Sequence, residues 1–320
     1  MQTQLCKMKV ITENTIRPLS ESSVVTIGNF DGVHLGHKAL INRCIELSGV
    51  DTEVAVVSFE PLPQAYFFPA QAPARLTAHK EKLELLEQSG VDLVWLMRFN
   101  HELAKLSAES FVKSVLVDAL GATQVVVGRD FRFGKERAGN FELLKSLGVQ
   151  LGFSVATVDD FKVDGSRVSS TAIRQMLAQG NFDGAEKFLG RRFTMQGEVI
   201  YGSQLGRKLG YPTANIKPGA EPCPLSGVFA VRTRMEKEVE WRDSVASLGT
   251  RPAVGGTDFL LEVHVFDFSA ELYGQQIDVE FVAKIRDEEH FDSMNELVAQ
   301  MKIDEAQARR VLKDRKINGL

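Results

Sequence analysis

Gly28-Asn29-Phe30-Asp31-Gly32-Val33-His34-Leu35-Gly36-His37 decides the fold class of this chain. The run directly follows the apolar stretch Val24-Val25-Thr26-Ile27 and leads into a helical stretch, His37 to Leu47. A glycine-rich turn between a strand and a helix lies where ligands dock at the carboxyl edge of a parallel sheet. Gly28, Gly32 and Gly36 let the backbone come close to a ligand, and the helix that follows offers free N–H groups to phosphate oxygens. His34 and His37 are three residues apart, so both imidazoles can face the same phosphates from one helical turn. The run is neither a Walker loop nor a G-x-G-x-x-G fingerprint. A tight turn with capping polar residues needs neither two histidines nor this density of glycine. A metal site would need a third or fourth ligand, and none is apparent nearby in the sequence. The nucleotide reading is therefore preferred. It makes Gly28, Asn29, Phe30, Asp31 and Gly36 binding residues, with the His34 and His37 imidazoles facing the phosphates.

Outward from this run, short apolar stretches alternate with helical ones up to about residue 180. Val54 to Phe59, Leu93 to Met97 and Val125-Val126-Val127 read as strands buried on both faces of a parallel sheet. His79 to Gln88 and Ala108 to Leu120 read as helices between them. In the first of these helices Leu83 and Leu86, with Leu85 at their edge, form an apolar stripe opposite Glu81, Lys82 and Glu87. The alternation predicts a Rossmann-like α/β domain. After about residue 190 the helical rhythm stops. Val279, Phe281, Ala283 and Ile285 alternate with polar residues at period two, and Gly227 to Arg232 and Leu260 to Phe268 are also strand-like. Phe291 to Lys313 reads as a helix. The expectation is a small antiparallel β-barrel with a C-terminal helix, joined to the first domain through Gln179 to Gly190. The boundary is set between residues 186 and 187. There are no internal repeats.

At 320 residues the chain has room for two domains. The net charge of −4, with 25% charged residues, gives neither half the basic surface of a protein that coats DNA or RNA. Small nucleotides remain open, because a few local groups hold them. No apolar run approaches membrane-spanning length, and Met1 to Lys7 lacks a signal-peptide core. The expectation is a cytoplasmic protein with no membrane or nucleic-acid polymer as partner; homo-oligomerisation stays open. Cys6, Cys44 and Cys223 are scattered and odd in number, against a disulfide framework or a zinc knuckle.

The G-x-F-D-x-x-H-x-G-H pattern resembles the nucleotidyltransferase superfamily. Val168-Ser169-Ser170-Thr171-Ala172-Ile173-Arg174 matches that superfamily's later Ser-Ser-Thr element at a helix start. There Ser170 and Thr171 can cap the helix and touch a triphosphate while Arg174 pairs with phosphate. Further matches widen the resemblance to nearly the whole chain. They are Ser58-Phe59-Glu60-Pro61, Arg75-Leu76-Thr77, Val127 to Gly134, Pro212-Thr213-Ala214-Asn215, Gly249-Thr250-Arg251-Pro252, Leu261-Glu262-Val263-His264 and Leu272-Tyr273-Gly274. Together the chain is similar to the bacterial bifunctional riboflavin kinases/FMN adenylyltransferases. Tyr201 departs from that pattern, where His is common, and Tyr211 replaces Phe.

The resemblance implies two reactions: riboflavin and ATP give FMN, then FMN and ATP give FAD and pyrophosphate. It implies Glu262 as the catalytic carboxylate of the kinase, on a strand face shared with His264 and Phe266 and opposite Leu261 and Val263. The glycine loop with Gly206, Arg207 and Lys208 can wrap polyphosphate, and Thr213 and Asn215 offer neutral oxygens suited to Mg²⁺. Arg174 joins the two histidines as a catalytic residue of adenylyl transfer. Flavin contacts are Phe67 in the apolar flap Pro61 to Pro69, and Asp130 and Phe131 at a strand end. In the barrel they are Arg286 and Phe291. Core packing of the phenylalanines, or a solvated charge run around Arg286, would give similar sequence. Two other readings compete: a nucleotidyltransferase of another substrate with a regulatory barrel, and a flavin sensor without turnover.

Overall fold

Ser23–Ile27 (β2), Glu53–Glu60 (β3), Leu93–Arg98 (β4) and Ala122–Gly128 (β5) are strands, as their unbroken apolar runs require. Lys9–Ile11 (β1) and Ser154–Val158 (β6) complete a six-stranded sheet in the order β1-β4-β3-β2-β5-β6. All its pairings are parallel. The structure is a computed structural model that describes residues 8–13, 17–202, 206, 210–219, 222–236, 238–253 and 256–317.

Side chains alternate across this sheet, and helices cover both faces. Val25, Ile27, Ala55, Val57 and Trp95 pack on one face with Phe111 and Leu116 from Ala108–Phe111 (α5), which continues as a π-helix over Val112–Ala119, and with Leu144 from Phe141–Leu151 (α6). On the other face, Leu35–Leu47 (α1) sets Cys44 against Val24, Val54 and Val126, and Ile41 with Val56 and Val94. His79–Gln88 (α3) adds Leu86. Short helices Pro63–Phe67 (α2) and His101–Lys105 (α4) follow β3 and β4. A two-stranded ribbon, Lys162–Val163 (β7) and Ser166–Arg167 (β8), follows β6.

One local expectation is overturned. Glu81 and Lys82, read from the pattern of α3 as its outer polar face, are only 6% and 1% exposed. Leu83 and Leu85 are merely partly buried. Lys82 is turned inward because partners there satisfy its ammonium group, which offsets the cost of leaving water.

Six strands form the closed antiparallel barrel, β10-β13-β12-β11-β14-β9. They are Thr194–Ile200 (β9), Ala214–Ile216 (β10), Gly227–Met235 (β11), Arg242–Ala253 (β12), Gly256–Val265 (β13) and Gln276–Arg286 (β14). Ala230, Phe266 and Val282 pack against Ala308 and Leu312 of the last helix, Met294–Ile317 (α9). The Gln179–Gly190 stretch, read as a join, carries helix Phe182–Leu189 (α8) after Ser170–Ala178 (α7). Phe182 of α8 meets Phe229 edge-on and stacks parallel to Phe281 of the barrel. Contacts divide the chain into two compact units, with Lys80–Ser169 in the first, and Ala74–His79 together with the residues from Ser170 onward in the second. Among the described residues no helix is long and apolar enough to cross a membrane.

Candidate functional site

The sheet unit places its histidines at the start of α1. His34 caps the helix: its Nδ1 accepts from the His37 backbone N–H at 3.2 Å. The two imidazoles stack at 3.6 Å between centroids, 13° from parallel. Gly36 leaves the room this needs, since a Cβ there would come within 3.2 Å of the His34 ring. Phe30, fully buried, supports His37 from 4.9 Å. It adopts φ 48°, and Gly32 φ 86°, as the chain turns sharply between strand and helix. Asp31 is also buried. Burial, with His34 and the Lys82 ammonium adding to it, holds the His37 imidazole well below its ordinary range, so it is neutral at pH 7. Its Nδ1 is buried and has no hydrogen-bond partner among the described residues. Beneath the loop, Lys82 Nζ donates to the Asn29 carbonyl at 2.9 Å and to Ser58 Oγ at 2.6 Å.

A cleft opens on the same unit, and Gly28 and Asn29 form part of its lining. All three flavin residues expected in this half, Phe67, Asp130 and Phe131, line it as well. Tyr66, Phe67 and Phe99 meet edge-to-face within it, and Phe131 stacks on Phe133 at 5.3 Å. Phe67 is 54% exposed, so it is an available apolar face and not a core residue. Asp130 pairs with Arg167 at 2.7 Å, and that guanidinium lowers its carboxyl below the usual range.

In the second unit, Ser170, Thr171 and Arg174 occupy the first two turns of α7, and Arg174 Nε donates to the Ala74 carbonyl. The barrel carries two cavities on its wall. One is lined by Gly206, Thr213, Asn215, Glu262, Arg286 and Phe291, all expected from the sequence, and closed by Leu297, Met301 and Asp304 of α9. The other is lined by Val199, Pro212, Val263, Val265, Leu272 and Tyr273 among others, and again by Thr213 and Asn215. Strand alternation explains the sorting. Leu261 and Val263 are fully buried, while Glu262 and His264 face the first cavity. Arg207 and Lys208 lie outside the described residues.

Asn215 is 5% exposed, and its Oδ1 accepts no hydrogen bond among the described residues. Gly202 lies against it: a Cβ there would be 2.5 Å from its amide. Arg286 is held by Asp304 through bonds of 2.9, 3.1 and 2.8 Å, and Asp304, 4% exposed, also accepts from Gln300 at 2.9 Å. Asp304 raises the guanidinium pKa further, so Arg286 stays charged while its carbon lies 5.6 Å above the Phe291 ring. Tyr201, the departure noted in the sequence, is 74% exposed and stacks on Tyr273 at 4.1 Å.

Sequence reasoning missed Lys82, Ser58 as its partner, and Asp304. Lys82 is 53 residues from Asn29 and 24 from Ser58, and no local pattern reports contacts at that range. Asp304 is 18 residues from Arg286, again beyond the reach of a local pattern.

A parallel sheet with paired histidines at its carboxyl edge, followed by a barrel with a carboxylate beside neutral oxygens, defines a two-site transferase acting on phosphate compounds. The FAD synthetase family model matches residues 16–172 and the riboflavin kinase model residues 189–312. The chain is 43% identical over 307 residues to the bifunctional riboflavin kinase/FMN adenylyltransferase of Escherichia coli K12, covering 94% of this chain and 97% of that one. It is 42% identical over 301 residues to the protein of that name from Pseudomonas fluorescens, with 92% and 95% covered. A crystal structure described as a macrolide-efflux protein from Streptococcus pneumoniae superposes with a TM-score of 0.80 at 30% identity, covering 94% and 99% of the two chains. The chain belongs to the bifunctional riboflavin kinase/FMN adenylyltransferase family, with an FAD synthetase half followed by a riboflavin kinase half.

Proposed function

We propose that the kinase half, residues 187–320, phosphorylates riboflavin with ATP through Glu262, and that the first half, residues 1–186, adenylylates the resulting FMN through His34, His37 and Arg174. The observation that carries the kinase assignment is the shared wall. Thr213 and Asn215 line both barrel cavities, while Glu262 lines only one. A flavin in the cavity of Glu262 and a nucleotide in the other would meet at Thr213 and Asn215.

The ribityl hydroxyl is neutral and must lose a proton as it attacks the γ-phosphorus of ATP. Glu262 takes that proton as the new P–O bond forms and ADP departs. Arg286 and Phe291 orient the flavin. The Asn215 Oδ1 is a buried neutral oxygen without a hydrogen bond among the described residues, and with the Thr213 hydroxyl it fits a hard cation. Mg²⁺ held there would neutralise charge on the ATP phosphates.

Adenylyl transfer needs no comparable base. FMN's phosphate is already anionic at pH 7, its second pKa being about 6. Its oxygen attacks the α-phosphorus of ATP and pyrophosphate leaves. The work is to assemble two polyanions and stabilise the developing charge. The α1 N-terminus, the stacked histidines and Arg174 suit that work, with Gly28, Asn29, Phe30, Asp31, Gly36, Ser170 and Thr171 binding ATP. Phe67, Asp130 and Phe131 receive FMN. In the kinase half Gly206, Arg207 and Lys208 wrap the triphosphate. The reading makes the enzyme cytoplasmic, acting on free ATP and flavins with no nucleic-acid polymer as partner, and leaves homo-oligomerisation open.

Incubation with riboflavin and MgATP, then separation of the flavins, ADP and pyrophosphate, tests this. FMN should appear first and FAD after it. Flavin recovered bound but unchanged would overturn the reading in favour of a sensor.

A further inference from the structure

The Asn29 carbonyl sits in a closed triangle of hydrogen bonds. It accepts from Lys82 Nζ at 2.9 Å and from Ser58 Oγ at 3.1 Å, and Lys82 Nζ donates to Ser58 Oγ at 2.6 Å. Lys82 is 1% exposed and Ser58 is fully buried. Lys82 comes from α3 and Ser58 from β3, so the triangle ties two elements to the loop between β2 and α1. A charged donor and a hydroxyl on one carbonyl hold that peptide more firmly than a neutral bond would. In a trans peptide the N–H points opposite to the C=O. With the Asn29 oxygen fixed inward, the Phe30 N–H is turned away from Lys82. It donates to no acceptor among the described residues. Asn29 is exposed and lines the cleft, while the Phe30 ring is buried against His37. The peptide between them thus carries a fixed donor, on the residue whose ring packs against His37.

We propose that Lys82 is a positioning residue for adenylyl transfer: through the Asn29 carbonyl it aims the Phe30 N–H at a phosphate oxygen on which charge builds. This rests on the reading of the first half as the adenylyl-transfer site. Lys82 does not touch substrate. Its ammonium acts at one remove, by fixing a donor before the reaction so that no reorganisation is needed during it. A lysine that only filled the space under the loop would affect folding or ATP affinity, and would not act through the same atom as Ser58.

The test is a double-mutant cycle on the full chain with Lys82→Met and Ser58→Ala, measuring kcat and KM for FMN adenylylation, with riboflavin phosphorylation as the control for an intact protein. Lys82→Met should lower kcat roughly 100-fold, on the scale of losing one fixed oxyanion donor, with KM for ATP changed less than about threefold. The double variant should be no worse than Lys82→Met, because both side chains act through one carbonyl. A kcat within about threefold of wild type, a loss confined to KM, or effects of the two changes that multiply would each overturn the proposal. If Lys82→Met does not fold, Ser58→Ala decides alone: a fall in kcat of about tenfold at unchanged KM supports it, and wild-type kcat overturns it. His37→Ala separates the two levels. Undiminished adenylyl transfer in that variant would remove the underlying site assignment, whatever Lys82 does.

Discussion

Asn215 and Glu262 are register partners, opposite one another on the antiparallel strands β10 and β13. Directly opposed residues on one face lie about 5 Å apart at Cβ, so a neutral oxygen and a carboxylate are presented together to one cavity. The pairing belongs wholly to the kinase half. Glu262→Gln should therefore lower FMN formation by about 10²-fold or more, the scale of a lost general base, yet leave conversion of supplied FMN to FAD intact. His37→Ala should do the reverse. Both activities are read from separated flavins, and loss of both from either change would refute independent sites.

A methyl group added at Gly202 reaches the Asn215 amide at 2.5 Å, well inside van der Waals contact. Gly202→Ala should push that amide aside. The expected result is a kinase with raised Mg²⁺ requirement and kcat reduced by about tenfold, comparable to misplacing a reacting group by a fraction of an ångström. A Mg²⁺ titration of FMN formation checks this; an unchanged half-saturation would show that the Asn215 oxygen is not the ligand.

His37 carries a pH signature. Burial first, then His34 and Lys82, keep it neutral in the folded chain, while unfolded it protonates near 6.5. Below that pH the unfolded state binds more protons than the native state, so stability falls as pH drops from about 6.5 toward the depressed folded value. Above about 6.5 the group adds no slope. Urea unfolding followed by the buried Trp95, in a Trp241→Phe background, should show a steeper loss between pH 6.5 and 5 in wild type than in His37→Asn. Parallel curves would contradict the assignment.

Asp304 is 4% exposed and accepts from Arg286 Nε and Nη2 and from Gln300. Asp304→Ala removes a buried carboxylate and leaves the partly exposed Arg286 guanidinium and the Gln300 amide without their acceptor, a change that costs about 1–3 kcal/mol. The second half should melt earlier in differential scanning calorimetry while the transition of the sheet half stays in place. Coincident movement of both transitions would contradict this.

Much of the fold was legible because β2 to β5 are buried on both faces and so read as unbroken apolar runs, and because β14 alternates cleanly. β1 and β6 were not. Lys9-Val10-Ile11 is too short to stand out, and Ser154–Val158 is an edge strand whose residues are exposed or only partly buried. The Gln179–Gly190 stretch looked like a join because its glycines punctuate it, yet Gly190 simply ends α8 at φ 69°. The placement of the candidate residues was legible where spacing within one turn or one strand defines it, as for His34 with His37 and for Glu262 with His264. Lys82 was invisible for a physical reason. A charged residue on a polar helix face reads as solvated unless the distant carbonyl that receives it is known.

The helix that closes the kinase cavity is synthesised after every other element described, since Leu297, Met301 and Asp304 all belong to α9. During translation the sheet domain has its whole sequence available while the barrel still lacks one wall. The half that consumes FMN thus has its whole sequence synthesised before the half that makes it, and a chain halted before residue 294 lacks the helix that closes the barrel cavity.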